Sequence, residues 1–400
     1  MQIDIHQAIQ QQTELMQQVS RFVHSHPELG YEEYQCSDYL VGVLEQLGLD
    51  VIRPVAGIRT AFRSTLKGTT KDGPRVGLVM LYDAVPAVGE DGAYIPNHSC
   101  GHNVISGAVV GAVAALSQGP RRGELTVIGM SGDEIGAPMV AQHGGSKALT
   151  AAVGEWDEFD AVLYAHPEFN NTVSHVSRWM ERYRLSLHHP RGFKQRGELQ
   201  GSVPWAVQAL LQVVRSMEES DTQEFVMVKD LWMNGDVEAD CKVNAQMQVL
   251  LFGLTQADVT QRATRLRQAV EAVGDGAQIV VELEQIGDPY MGVNPNPTLT
   301  SVVHQAMRDS GLEVLFDPEP LPFATDFGNI SYRAPSVLIG TGREGGWQFH
   351  GSEGDREFSS SDGNRVMMAT AEVLARATMR LWEEPELVGR ARTEFDERLR

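Results

Sequence analysis

The sequence predicts an α/β protein: a doubly wound α/β domain carrying an inserted, smaller α+β domain. Three observations lead there. The chain has 400 residues, more than one core ordinarily serves, so two domains are expected. Short apolar runs bounded by turn residues alternate with helical stretches, as strands buried on both faces of a sheet do. The texture also changes after about residue 180 and reverts near residue 295.

The elements follow in order. Residues 8–26 place Ile9, Leu15, Val19, Phe22 and Val23 near helical spacing, and His26-Pro27 ends the helix because a residue before proline avoids the α region. A second helix covers about 32–48 and stops at Gly48. Runs at 76–81, 125–129 and 161–164 are buried strands, with a helix over 106–116 between the first two. The insert has strands at 183–187, 245–252 and 277–283 and helices at 203–217 and about 256–273. A Gly/Pro/Asn-rich stretch, 288–297, returns the chain to the first domain. There, 298–310 is a helix, 336–340 a buried strand and 362–381 a long helix, and the charged run from Glu383 is a solvated helix. The expected domains are therefore 1–180 with 295–400, and 181–294.

Composition narrows the function. Apolar residues are 42% and charged residues 22%, as in a globular protein. A net charge of −20 disfavours nucleic acid and anionic membranes, both of which need clustered Lys/Arg. Three cysteines, Cys36, Cys100 and Cys241, are too few and too odd for a disulfide framework. With no apolar run long enough to span a membrane and no signal-peptide pattern at the N-terminus, a cytoplasmic location is expected. No Gly-x-Ser-x-Gly and no phosphate-binding Gly-x-x-x-x-Gly-Lys-Ser/Thr run occurs.

The residues that carry chemistry cluster after the predicted strands. Cys100-Gly-His102 supplies a thiolate and an imidazole, both good ligands for Zn²⁺ and similar ions, and the intervening glycine lets both turn toward one point. Asp133-Glu134 follows the run 125–129 amid glycines. One carboxylate can hold a metal while the other takes a proton from an activated water and passes it to the leaving nitrogen. His166 follows the run 161–164, and His350 stands in Trp347-Gln-Phe-His350. Taken singly each is an ordinary residue. Together, Cys100, His102, Glu134, His166 and His350 are more ligands than one ion needs, which favours a two-metal site at the carboxyl ends of the strands.

The ordered set resembles peptidase family M20, the aminoacylase and carboxypeptidase-type metallopeptidases. The markers are His24-Ser-His-Pro-Glu-Leu-Gly-Tyr-Glu-Glu33, Tyr82-Asp-Ala-Val-Pro86, Cys100-Gly-His-Asn103, the segment 129–134, His166-Pro167, Thr325-Asp-Phe327 and His350. The resemblance runs from about residue 15 to 380, and Cys-Gly-His-Asn is similar to the aminobenzoyl-glutamate hydrolase-like amidohydrolases. It implies a catalytic metal-binding α/β domain and an inserted lid domain through which homodimers form. It implies Cys100, His102, Glu134, His166 and His350 as ligands of two divalent ions, Mn²⁺ foremost and Zn²⁺, Co²⁺ or Ni²⁺ otherwise. Asp133 would be the general base, and Asp83 would orient a ligand histidine.

Two departures stand out. The family usually has Glu-Glu where this chain has Asp133-Glu134, which sets the base back by roughly 1–1.5 Å, enough to affect a rate. The family's lid also carries Gly-x-x-x-His-Ala, whose histidine stabilises the oxyanion. Here the stretch is His188-His-Pro-Arg-Gly-Phe-Lys-Gln-Arg196, with Phe193 at the histidine position and no histidine between His189 and His304. Either His188 or His189 replaces it, or Arg191, Lys194 and Arg196 do, or the chemistry dispenses with that donor. The resemblance therefore implies cleavage of the C–N bond of a small N-acyl or aminobenzoyl amino-acid conjugate. An alternative is hydrolytic deamination of an activated aromatic amine, as in 5-nitroanthranilic acid aminohydrolase. There charge spreads into a ring on which Trp347, Phe349, Trp179 or Trp232 could stack. A non-catalytic binding protein that kept the fold is the third reading.

Overall fold

The computed structural model describes residues 3–70, 73–89, 91–188, 203–217, 225–234, 244–315 and 318–399. Its contacts divide the chain into two compact units, Met1–Val176 with Val293–Pro320 and Asp326–Arg400, and Ser177–Gly292 with Leu321–Thr325. Among the described residues no helix is long and apolar enough to cross a membrane.

In chain order the strands are β1 Asp50–Ile52, β2 Phe62–Leu66, β3 Arg75–Leu81, β4 Val85–Val88, β5 Tyr94–Asn97, β6 Glu124–Met130, β7 Ala161–Pro167, β8 Trp179–His188, β9 Val226–Asn234, β10 Asn244–Gly253, β11 Val280–Gln285 and β12 Ser336–Thr341. The larger unit holds a six-stranded sheet in the order β1-β2-β6-β3-β7-β12. The four strands β6, β3, β7 and β12 run parallel. They are the four runs that read as buried strands, and they are buried almost throughout. Continuous apolar sequence is what a strand needs when helices cover both faces. The antiparallel edge pair β1 and β2 and the β4–β5 hairpin are not foreseen by the sequence pattern. All four are short, and β1 and β5 have no buried residue.

The helix His102–Ser117 is apolar on every side, and fifteen of its sixteen residues are buried. It packs between the helices Thr13–Ser25 and Ser361–Glu383 and against β3. The expected first helix is two, Ile5–Gln11 and Thr13–Ser25, broken at Gln12. The C-terminal run forms the helix Pro385–Arg398. It is not simply solvated, because Leu387, Ala391 and Phe395 are buried.

The second unit is an antiparallel sheet in the order β11-β8-β10-β9. Alternate residues of β8 and β10, among them Tyr183, Leu185, Met247 and Val249, share a core with Val207 and Leu210 of the helix Val203–Arg215 and Leu266 of the helix Gln256–Ala277. The latter begins at a capping box between Thr255 and Asp258, a local signal that fixes its start. Together the two units give the α/β architecture with an α+β insert that the sequence predicts.

Candidate functional site

The candidate residues of the larger unit lie at or past the carboxyl ends of its parallel strands, except Cys100 and His102, which follow the β4–β5 hairpin. β3 leads to Asp83, β6 to Asp133 and Glu134, β7 ends with His166 and Pro167, and the loop after β12 carries His350. Cys100 and His102 flank Gly101, whose φ of +82° and ψ of 18° put it in the left-handed region at the start of the helix His102–Ser117. The donor atoms of Cys100, His102 and His166 all lie within 4.8 Å of one another, as do those of Cys100, Glu134 and His350. Cys100 belongs to both groups.

His102 and His166 are held from behind. His102 Nδ1 donates to the carbonyl of Asp83 at 2.8 Å, with Asp83 Oδ1 alongside at 2.9 Å. That aims Nε2 into the site, where among the described residues it has no hydrogen-bond partner although the ring is fully buried. Asp133 Oδ2 and Glu134 Oε1 are 3.7 and 3.8 Å from that nitrogen. His166 Nδ1 donates to the carbonyl of Pro167 at 2.7 Å, leaving Nε2 3.5 Å from Cys100 Sγ. His350 has φ +60°, uncommon for a residue with a side chain, and its N–H donates to Ser99 O at 3.0 Å. Its Nε2 is 3.8 Å from Glu134 Oε2, and 57% of its side chain is exposed.

Asp83 does more than orient a histidine. Its Oδ2 accepts from the N–H groups of both Asp133 and Glu134, at 2.7 and 2.9 Å. Behind the same loop sits Glu33, fully buried, accepting from Ser131 Oγ at 2.6 Å and Gly132 N–H at 2.9 Å. Burial and the Asp83 charge push its carboxyl up to about 8. In the sequence Glu33 stands out only as the last residue of a family marker.

Crowded charges set the electrostatics. Burial and then Glu134 and Asp133 push the Cys100 thiol well above its ordinary range. For His102 burial works downward, but Asp83, Glu134 and Asp133 outweigh it and raise the ring to about 9. Burial and the neighbouring His102 lower His166 to about 4. Burial raises Glu134 against the pull of His350 and His102. Burial likewise works upward on Asp133, but Lys147 and His102 prevail and bring it down to about 2. A buried thiol, imidazoles and carboxylates converging around an orphaned imidazole nitrogen form a donor set suited to borderline divalent cations, so the residues fit such ions.

Other expected positions fall differently. Trp347 is 3% exposed, stacked on Phe358 at 4.4 Å with Arg343 4.4 Å over its other side, so it is packed rather than open to a ring substrate. The aromatic surface beside the donors is Phe349 instead. Its ring lies 6.3 Å from His166 at 28° and 5.3 Å edge-on to Phe169, which is 52% exposed. In the smaller unit, His188 closes β8 opposite Asn244 and Val280. Trp179 and Trp232 also belong to that unit. His189, Arg191, Phe193, Lys194, Arg196 and Cys241 lie outside the described residues.

Sequence reading misses Lys147. It is fully buried, one residue into the helix Ser146–Ala152, and its Nζ bridges Asp133 Oδ1 and Asp326 Oδ1, the latter at 2.8 Å. A lysine after two glycines and a serine carries no local sign of such a role.

Comparison with known proteins gives these features a setting. The profile of peptidase family M20/M25/M40 matches residues 82–380. The mouse Xaa-Arg dipeptidase is 25% identical over 97% of this chain and 90% of its own. A subunit of the p-aminobenzoyl-glutamate hydrolase of Escherichia coli K12 is 25% identical over 81% of this chain and 69% of its own. Among solved structures, the Bacillus subtilis YXEP protein, described as a dinuclear metal binding peptidase from the M20 family, superposes with a TM-score of 0.67. It is 16% identical and covers 93% of this chain and 98% of its own.

Proposed function

This chain belongs to peptidase family M20/M25/M40 and is a hydrolase of that amide-cleaving family, and from that premise we propose that it uses two divalent ions to split the C–N bond of a small N-acyl or aminobenzoyl amino-acid conjugate. The observation that carries the reading is the pair of three-donor groups sharing Cys100, with the buried His102 Nε2 left without a partner. In this assignment Cys100, His102, Glu134, His166 and His350 hold the ions, Mn²⁺ foremost, and Asp83 orients His102 and the Asp133-Glu134 loop. The bound ions would supply Lewis-acid activation of the scissile carbonyl and of the attacking water. Asp133 Oδ2, on the site side of its carboxylate, accepts the water proton and returns it to the leaving nitrogen. Phe349 and Phe169 offer an aromatic edge for an aryl acyl group. The dinuclear description of the Bacillus protein and the names of the two relatives support the same reading.

A second reading, deamination of an activated aromatic amine, is favoured by the same aromatic edge and by Phe193 at the position of the family's lid histidine. We propose further that two copies associate through the inserted unit, whose edge strand β9 exposes Met227, Leu231, Trp232 and Met233.

The Mn²⁺-loaded protein should be assayed on two panels, N-acyl or aminobenzoyl amino acids and aminobenzoates bearing electron-withdrawing groups. Release of an amino acid from the first panel, abolished by Cys100→Ala and Glu134→Ala, is expected. Ammonia release from the second panel alone would replace the first reading by the second. Turnover surviving both substitutions would sink both.

A further inference from the structure

We propose that Lys147 is a positioning residue that clamps the carboxylate of Asp133, turning one oxygen away and presenting the other to the site. The proposal rests on the hydrolase reading above, in which Asp133 moves the proton.

The geometry is specific. The ammonium of Lys147 is fully buried and touches two carboxylates, Asp133 Oδ1 and Asp326 Oδ1. Asp326, 1% exposed, is itself fixed by the chain it serves: its Oδ2 accepts from the backbone N–H of Lys147 at 2.9 Å and of Ala148 at 3.2 Å. One carboxylate thus holds both the start of the helix Ser146–Ala152 and the ammonium that emerges from it. The Tyr164 ring, its centroid 5.8 Å from Nζ, forms a further wall. Lys147, Asp326 and Tyr164 are all buried, and Asp133 is largely so, with 17% of its side chain exposed. The other Asp133 oxygen, Oδ2, lies 3.7 Å from the orphaned nitrogen of His102.

A free aspartate rotates about two side-chain bonds, and each orientation presents a different oxygen. An ammonium gripping one oxygen removes that freedom. This matters most for a short side chain, because aspartate reaches about one methylene less far than glutamate, and a misplacement of about 1 Å at a reacting group can cost about 100-fold in rate. Burying an ammonium between two carboxylates is expensive and is weak evidence of a stability role. A structural purpose alone would be served as well by an apolar side chain of the same volume. Among the described residues Lys147 makes ion pairs with Asp133 and Asp326 and with none of the proposed ligands; its charge also reaches His166, so a mutant cycle with Asp133 is what separates the clamp from a field effect.

The test is a double-mutant cycle on the full-length, metal-loaded protein with Lys147→Met, Asp133→Asn and the double variant. For each variant we would measure kcat and KM on the substrate found above, metal content after dialysis, and the thermal midpoint. Lys147→Met is expected to lower kcat about 100-fold, to leave KM within about threefold and to keep the wild-type metal content. In the Asp133→Asn background it should lower kcat less than about threefold, and the drops in midpoint should likewise be non-additive. Equal kcat losses in both backgrounds would overturn the positioning role. Additive midpoints would overturn the clamp itself. If the wild type turns over neither panel, the hydrolase reading has failed, and the midpoints alone still decide the clamp. Should Lys147→Met not fold, Lys147→Met combined with Asp326→Asn removes one charge of each sign and frees Asp133 equally.

Discussion

Replacing Gly101 with alanine tests how the chain brings Cys100 and His102 to one point. Two costs are distinct. At φ +82° an alanine is left-handed, worth about 1–2 kcal/mol. Its Cβ would also come within 2.7 Å of Phe358 Cε1 and 2.9 Å of Pro167 Cγ. Neither can yield easily: Phe358 is 1% exposed and stacked on Trp347, and Pro167 follows His166 at the end of β7. Overpacking of this kind costs about 1–3 kcal/mol. The sum is about 2–5 kcal/mol, a fall of about 4–10 °C in midpoint at the roughly 2 °C per kcal/mol of a large domain. Because the displaced groups adjoin His166 and Phe349, affinity for Mn²⁺ should also drop more than about tenfold. Gly48→Ala is the control, since Gly48 has φ +84° but nothing within 4 Å of its Cβ. It should lose only the backbone term and no metal affinity. Scanning calorimetry and metal titration check both. A Gly101→Ala protein no less stable than Gly48→Ala, with unchanged affinity, would refute the steric argument.

Two further outcomes follow from the groups behind the ligands. Asp83→Asn replaces one side-chain oxygen by an NH₂ that must face either His102 Nδ1–H, now beside Oδ1, or the N–H groups of Asp133 and Glu134, so metal affinity should fall about 10–100-fold, read by chelator competition. For Glu33 the folded protein holds a proton up to about pH 8 that the unfolded chain releases near its ordinary 4.5. Raising pH through that window therefore costs stability, about 1.4 kcal/mol per unit of pH at most. Urea unfolding of metal-free wild type and Glu33→Gln should show the wild type losing ground between about pH 5 and pH 8. A constant difference would mean that Glu33 stays ionised.

The sequence by itself determined the central sheet and the ligand candidates. β3, β6, β7 and β12 were legible because a strand covered on both faces must be apolar at every position, and such runs stand out. The candidates were legible because Cys100, His102, Glu134, His166 and His350 follow strands or glycine turns, where open α/β sheets place their sites. Less of the edge was readable. β1, β2, β4, β5 and β9 are short or exposed, and pairing with a neighbour rather than their own pattern makes them strands. The break at Gln12 between two helices left no mark in the apolar spacing.

Only the tertiary structure decided what stands behind the site. Trp347 carried the same sequence signal as Phe349 two residues later, yet the first is stacked between Phe358 and Arg343 and the second faces the donors. Glu33 meets the loop before Asp133 from 99 residues away, and Asp326 reaches Asp133 only through Lys147, so no spacing rule links them. Strand burial is written into a run of neighbouring residues. A buried charge is explained only by its partner, and partners are chosen by the packing of elements far apart in sequence.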